Sequence, residues 1–161
     1  MEKPKIYLET TLFNYYFDTD RDAHPDTLLL FKDVAAGKYE AFTSDAVVKE
    51  LTAAPASKSA MMIALVGEYK IETLTVNDEI NRLADLYVAE GIIPAKYRTD
   101  GVHIAVAAVN GLDIIASMNF QHIVKNKVKR LANAVNIVKG YRPVDIVSPM
   151  EIVENENPQH H

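Results

Sequence analysis

The sequence contains no cysteine. A disulfide scaffold, a zinc ribbon, a thiol nucleophile and an iron–sulfur site are therefore excluded, and the composition suits a reducing compartment. No run approaches the roughly 18 consecutive apolar residues that a bilayer-spanning helix needs. The first residues, MEKPKIYLETTLFNYYF, lack the apolar central segment of a signal peptide. The expectation is a cytoplasmic protein with no membrane attachment. Neither GxGxxG nor GxxxxGK[ST] occurs, so dinucleotide and P-loop nucleotide binding have no support. Internal repeats and linkers are also missing. What remains is a chain of 161 residues, 48% hydrophobic and 24% charged, ordinary figures for one globular domain with a real core. We read residues 1–150 as that domain and 151–161 as a disordered tail, leaving the terminal His160 and His161 out of the chemistry.

The net charge is −5, from 17 basic and 22 acidic residues, which argues against a surface that coats nucleic acid everywhere. Its distribution is uneven. Lys125, Lys127, Lys129, Arg130, Lys139 and Arg142 fall between positions 120 and 143 with no acid among them, leaving 11 basic against 22 acidic residues elsewhere. A local basic face on an acidic protein can still meet a phosphate backbone.

Strand-like and helix-like stretches alternate. Short runs rich in β-formers predict strands at Lys5–Leu8, Tyr39–Thr43, Lys70–Thr75, Asp113–Ala116 and Asp145–Val147. Helical stretches lie between them. Thr10 to Phe17 is aromatic-rich, and Asp18–His24 reads as a loop. Pro25 opens a helix that Gly37 ends. Ser44 caps DAVVKEL, and a helical piece covers Ser57–Val66. Asn77 caps a helix that ends at Gly91, and Thr99 is the expected cap of DGVHIAVAAVN. Lys127–Val138 is basic and helical, and Pro149 opens a last short turn. Strands alternating with helices of this length imply right-handed βαβ units and a parallel sheet covered on both faces. In such sheets ligands bind beyond the carboxyl ends of the strands.

That rule selects Glu9 after the first strand, Ser44, Asp45 and Glu50 after the second, and Asn119 after the fourth. Asp100 opens the helix that feeds the fourth strand. Carboxylates gathered at one edge repel and raise one another's pKa. A divalent cation relieves that repulsion most readily, and hard cations such as Mg²⁺ and Mn²⁺ take oxygen ligands with waters and phosphates. The chemistry such a cluster supports is metal-assisted phosphodiester hydrolysis. Singly, each residue also has an ordinary role: strand end, exposed helix residue, helix N-terminus or turn.

In combination these positions resemble the PIN-domain family, in the branch of the bacterial type II toxin–antitoxin ribonucleases. The carrying segments are IYLETTLFNYYFD, TSDAVVKEL, YRTDGVHIAVAAVNGLDIIASMNF and NAVNIVKGYRPVDIVSP. The resemblance implies an α/β fold, a three-layer α/β/α domain whose parallel sheet of about five strands runs 3-2-1-4-5. It also implies a site for Mg²⁺ or Mn²⁺, endoribonuclease activity on RNA, an antitoxin protein as partner and a homodimer. Carried over by residue, the family's acids fall on Glu9, Glu50 and Asp100, which would be catalytic and metal-binding. Asn119 takes the fourth metal position, with Thr10 or Thr11 adding a hydroxyl.

Two departures from the family pattern stand out. Position 9 is glutamate where aspartate is usual, and a displacement near 1 Å at a reacting centre can cost on the order of 100-fold in rate. Asn119 brings a carbonyl but no charge. The alternative is therefore a catalytically weakened module of the same fold that binds RNA or a protein. His103 lies three residues after Asp100, on the same helical face; packing beside the site, orienting a carboxylate and touching substrate are its three readings. Phe13, Tyr15, Tyr16 and Phe17 either stack bases or pack the core or a dimer contact. A haloacid-dehalogenase-type phosphatase would need an aspartate where Thr11 stands. A receiver domain would need one at the end of the third strand, where Thr75 and Val76 lie.

Overall fold

The computed structural model describes residues 2–119 and 121–156. Five parallel strands are ordered β3-β2-β1-β4-β5, the order the resemblance implies. They are β1 (Lys5–Leu8), β2 (Glu40–Ser44), β3 (Glu72–Leu74), β4 (Ile114–Ala116) and β5 (Asp145–Val147). Between and after them lie α1 (Thr10–Phe17), α2 (His24–Ala35), α3 (Asp45–Thr52), α4 (Ala56–Glu68), α5 (Asp78–Ala89), α6 (Arg98–Val109), α7 (Asn126–Val138) and α8 (Pro149–Glu156).

β1 is central because its side chains are apolar on both faces, as a strand covered above and below requires. Ile6, Tyr7 and Leu8 are fully buried, with Ile6 in register with Ala41 of β2 and Ile114 of β4. From β1 the chain adds β2 and β3 on one side, then returns to add β4 and β5 on the other. Right-handed crossovers in opposite directions put helices on both faces, and the order reverses between β1 and β4.

Helix ends follow local chemistry. The Ser44 side chain accepts from Val47 N–H at 3.3 Å, and Asn77 Oδ1 accepts from Ile80 N–H at 2.9 Å, as the sequence leads one to expect. Gly37 and Gly91 close α2 and α5 at φ +82° and +73°, a region that residues with a Cβ enter at a cost. Helix α6 is buried continuously from Gly101 to Ala108. Gly101 faces α5, where a Cβ would make ordinary van der Waals contact with the Tyr87 ring at 3.5 Å.

Three expectations are corrected. Thr99 is not the cap of α6: a 3₁₀ turn at Ala95–Tyr97 runs into a helix that already begins at Arg98. Pro94 starts that turn, and the Arg98 guanidinium fastens it to Asp85 at 2.6 Å and to Asn81. β3 spans fewer residues than Lys70–Thr75, because Lys70 adopts φ +54° just after α4. Residues 151–156 continue the helix that opens at Pro149 rather than beginning a tail. Ile152 and Val153 are buried there, which supplies the apolar contact a bare turn would lack. Positions 157–161 lie outside the described residues.

The aromatic set after β1 faces inward for the most part. Phe13 meets Phe31 edge-on at 6.0 Å, and Tyr16 packs against Phe17, Phe31 and Tyr69. Such pairs stabilise the core beyond their buried area. Among the described residues no helix is long and apolar enough to cross a membrane.

Candidate active site

The carboxyl ends of β1, β2 and β4 meet the start of α6 at the point where the strand order reverses. Glu9 follows β1 directly and is 3% exposed. Its Oε1 accepts from Thr11 N–H at 3.2 Å, Thr11 Oγ1 at 2.5 Å and Ser117 Oγ at 2.7 Å. Both hydroxyls pass the interaction on: Thr11 Oγ1 accepts from Met118 N–H at 2.8 Å, and Ser117 Oγ from Asn119 N–H at 2.9 Å. Two relays therefore end on one carboxylate, tying the end of β1 to the loop after β4. The same side chain caps α1.

Glu50, on α3, is bound on Oε1 by His103 Nε2 at 2.6 Å and by Thr10 Oγ1 at 2.8 Å. His103 is fully buried. Its Nδ1 meets the Tyr7 hydroxyl at 2.7 Å, and that hydroxyl also meets Ser44 Oγ at 2.8 Å. A chain of contacts thus runs from Ser44 through Tyr7 and His103 to Glu50. Asp100, in the first turn of α6, accepts on Oδ1 from Asn119 Nδ2 at 3.2 Å. The Asn119 oxygen accepts from His122 N–H at 3.1 Å.

Electrostatics link the three carboxylates. Burial pushes the Asp100 carboxyl upward, and the charges of Glu9 and Glu50 push the same way, against His103 and His122. Burial opposes the charge on His103, yet the Glu50 hydrogen bond and the fields of Glu9, Glu50 and Asp100 together hold its pKa above 6.5. Burial likewise opposes the charge on Glu50, but His103 and Thr10 prevail and hold that carboxyl below its usual range. When protonated, His103 is an internal counter-charge among three acids.

This pairing has a signed pH consequence. A group whose pKa rises on folding stabilises fully below its unfolded value and loses that contribution as pH climbs through the folded one. We expect stability, followed by urea unfolding across a pH series, to decline as pH rises from about 6.5 upward through the folded pKa of His103. On the acid side, the contribution of Glu50 is present above its ordinary value of 4.5 and is lost as pH falls through its lower folded pKa.

The predicted site residues are therefore brought together, with distinct partners. Glu9, Glu50, Asp100, Asn119, Thr10, Thr11 and His103 all take part in the contacts described. Asp45 does not: its carboxylate accepts from Val76 N–H at 3.1 Å, fixing the chain after β3. Tyr7 and Ser117 are additions that sequence reasoning missed. Periodicity cannot tell which face of a doubly covered strand Tyr7 occupies, whereas Ser117 stands directly after β4 and the strand-end rule reaches it. A cleft of about 620 Å³ opens beside Glu50, lined by Ala46, Lys49, Val76, Thr99 and Val102. A larger one, about 690 Å³, lies among the opposite strand ends at Lys5, Glu40 and Glu72 and contains none of these three acids.

The oxygen donors suit a hard cation. Among the described residues no group of three or more His, Asp or Glu side chains is arranged to hold a metal ion together. This donor set fits Mg²⁺, which uses one or two carboxylates and completes its shell with waters and substrate phosphates. Among the described residues the expected ligands Glu9, Glu50, Asp100 and Asn119 are thus not grouped as one cation site: the described donors to Glu9 all land on its Oε1, and the Asn119 oxygen is turned to His122 N–H.

The fold is PIN-like, a parallel sheet in the order 3-2-1-4-5 flanked by helices. It is shared with VapC20 from Mycobacterium tuberculosis, described as a Sarcin-Ricin loop cleaving toxin, at TM-score 0.54 and 13% identity over 86% of this chain and 98% of that one. VapBC2 from Rickettsia felis, bound to a DNA fragment from their promoter, superimposes at TM-score 0.55 and 12% identity over 89% of this chain and 98% of that one. No protein-family model matches the sequence, and the comparison with curated proteins finds no match.

Proposed function

We propose that this chain is a metal-dependent endoribonuclease, the toxin of a toxin–antitoxin pair acting in the cytoplasm. The observation that carries the reading is that Asn119 joins Asp100 to the Ser117–Glu9 relay while Thr10, next to Glu9, holds Glu50, so the three acids share one edge of the sheet. Fold likeness to a Sarcin-Ricin loop cleaving toxin supports the substrate class. Likeness to VapBC2 on promoter DNA supports an antitoxin partner.

In this reading Asp100 and Glu50 hold Mg²⁺ or Mn²⁺, which when bound supplies charge to the phosphoryl oxygens and acidifies a water. The protein's own groups do the positioning. His103 and Thr10 lock Glu50 into one orientation, and Tyr7 fixes the imidazole from behind. Asn119 orients Asp100 through its amide N–H, while Glu9 keeps the two contributing loops in register. A preset arrangement of this kind removes reorganisation from the reaction step.

The assay is cleavage of structured and single-stranded RNA by the purified chain with Mg²⁺, with Mn²⁺ and with EDTA. Cutting in either metal that stops with EDTA is the expected result. Cutting that persists in EDTA contradicts metal dependence, and no cutting of any RNA contradicts the nuclease.

A further inference from the structure

A second feature lies at the edge of the acidic pocket. The rings of Tyr97 and His122 stack with centroids 3.9 Å apart and planes 30° from parallel. The Lys96 ammonium lies over the Tyr97 ring, 5.0 Å from its centroid. Tyr97 remains 37% exposed. The stack is wired to the pocket at both ends. Tyr97 stands immediately before α6, whose first turn carries Asp100. His122 donates its backbone N–H to Asn119 Oδ1, and Asn119 donates to Asp100 Oδ1.

We propose that the Tyr97–His122 pair is a stacking platform for one unpaired nucleobase of a single-stranded RNA whose backbone passes Asp100. Every base offers a π-face, and a base on the Tyr97 face away from His122 would take the place of the exposed Lys96 ammonium, which then turns to the phosphate that follows. The chain beyond His122 continues the theme, with Lys125, Lys127, Lys129 and Arg130 and no acid in the interval. A ligand that is aromatic and polyanionic matches this combination; an apolar protein helix does not. The platform also sets substrate form, because a base must be unstacked from its neighbours to reach it.

The inference rests on the ribonuclease reading and is tested so that the two can fail separately. Single-stranded RNA with one cleavage site is made with an abasic residue at each position in turn, and kcat and KM are measured for the native chain and for Tyr97→Ala. With intact RNA, Tyr97→Ala should raise KM about tenfold, the size of one lost base–aromatic stack, and Tyr97→Phe should restore it. At one position the abasic substitution should cost the native chain a similar factor. Combining it with Tyr97→Ala should then cost no more than either change alone, the signature of a direct contact. A native KM for Tyr97→Ala, or losses that multiply at every position, overturns the platform and leaves the nuclease standing. Failure of the native chain to cut any RNA overturns both.

Discussion

Replacing Asp100 with asparagine is expected to cut RNA cleavage by about 100-fold or more without weakening the fold. Removing one preset electrostatic group from a reacting centre typically costs that much. The stability side follows from its pKa. Burial and the charges of Glu9 and Glu50 push the Asp100 carboxyl upward, so ionising it costs the folded state once pH exceeds its ordinary value of 3.8. Asp100→Asn should therefore unfold at the same urea concentration as the native chain or a higher one. Glu50→Gln offers the contrast. It should lose comparable activity and also destabilise, because fully buried His103 then has no adjacent anion on Nε2. The decline in stability above pH 6.5 should flatten in that variant, since the hydrogen bond raising the His103 pKa has lost its charge. If the two variants keep native cleavage rates, the carboxylates are not the reacting centre.

Glu9→Ala is expected to destabilise by about 3 kcal/mol. Two hydroxyl donors, on Thr11 and Ser117, end on Glu9 Oε1, and an orphaned buried donor costs about 1–3 kcal/mol. The penalty spreads, since the same hydroxyls receive Met118 N–H and Asn119 N–H. Glu9→Asp decides whether the glutamate is an impairment. The relays converge on the end of the longer side chain, so shortening it by one methylene should cost about 1–2 kcal/mol and fail to raise cleavage. A gain in activity from Glu9→Asp would instead support a weakened, binding-only module. Urea unfolding and RNA cleavage on the same preparations separate these outcomes.

The strand ends were the legible part of the site. Glu9 and Asn119 stand directly after apolar runs, Glu50 one helix onward, and Asp100 at the head of a helix; the parallel arrangement turns those positions into one edge. His103 was legible as a neighbour of Asp100, three residues on. Its partnership with Glu50 was not, because 53 residues separate them and nothing in a local pattern pairs them. Tyr7 was hidden because both faces of β1 are buried, which removes the alternation that assigns a strand residue to one side. Thr99 misled because a hydroxyl before an acid is a good capping pattern, whereas the Arg98 contacts to Asp85 and Asn81 start the helix earlier.

The order of apolar runs, their length and the glycines and capping residues between them determined an α/β fold and the edge on which to search. Those signals are local, and right-handed crossovers turn them into topology with few alternatives. Tertiary structure alone decided how the acids are used: Glu9 as the terminus of two relays, Glu50 as the partner of a buried imidazole, Asp100 as the carboxylate pushed upward by burial and by both of the others. Hydrogen-bond partners and electric fields depend on distances across the fold, and no local sequence pattern encodes them.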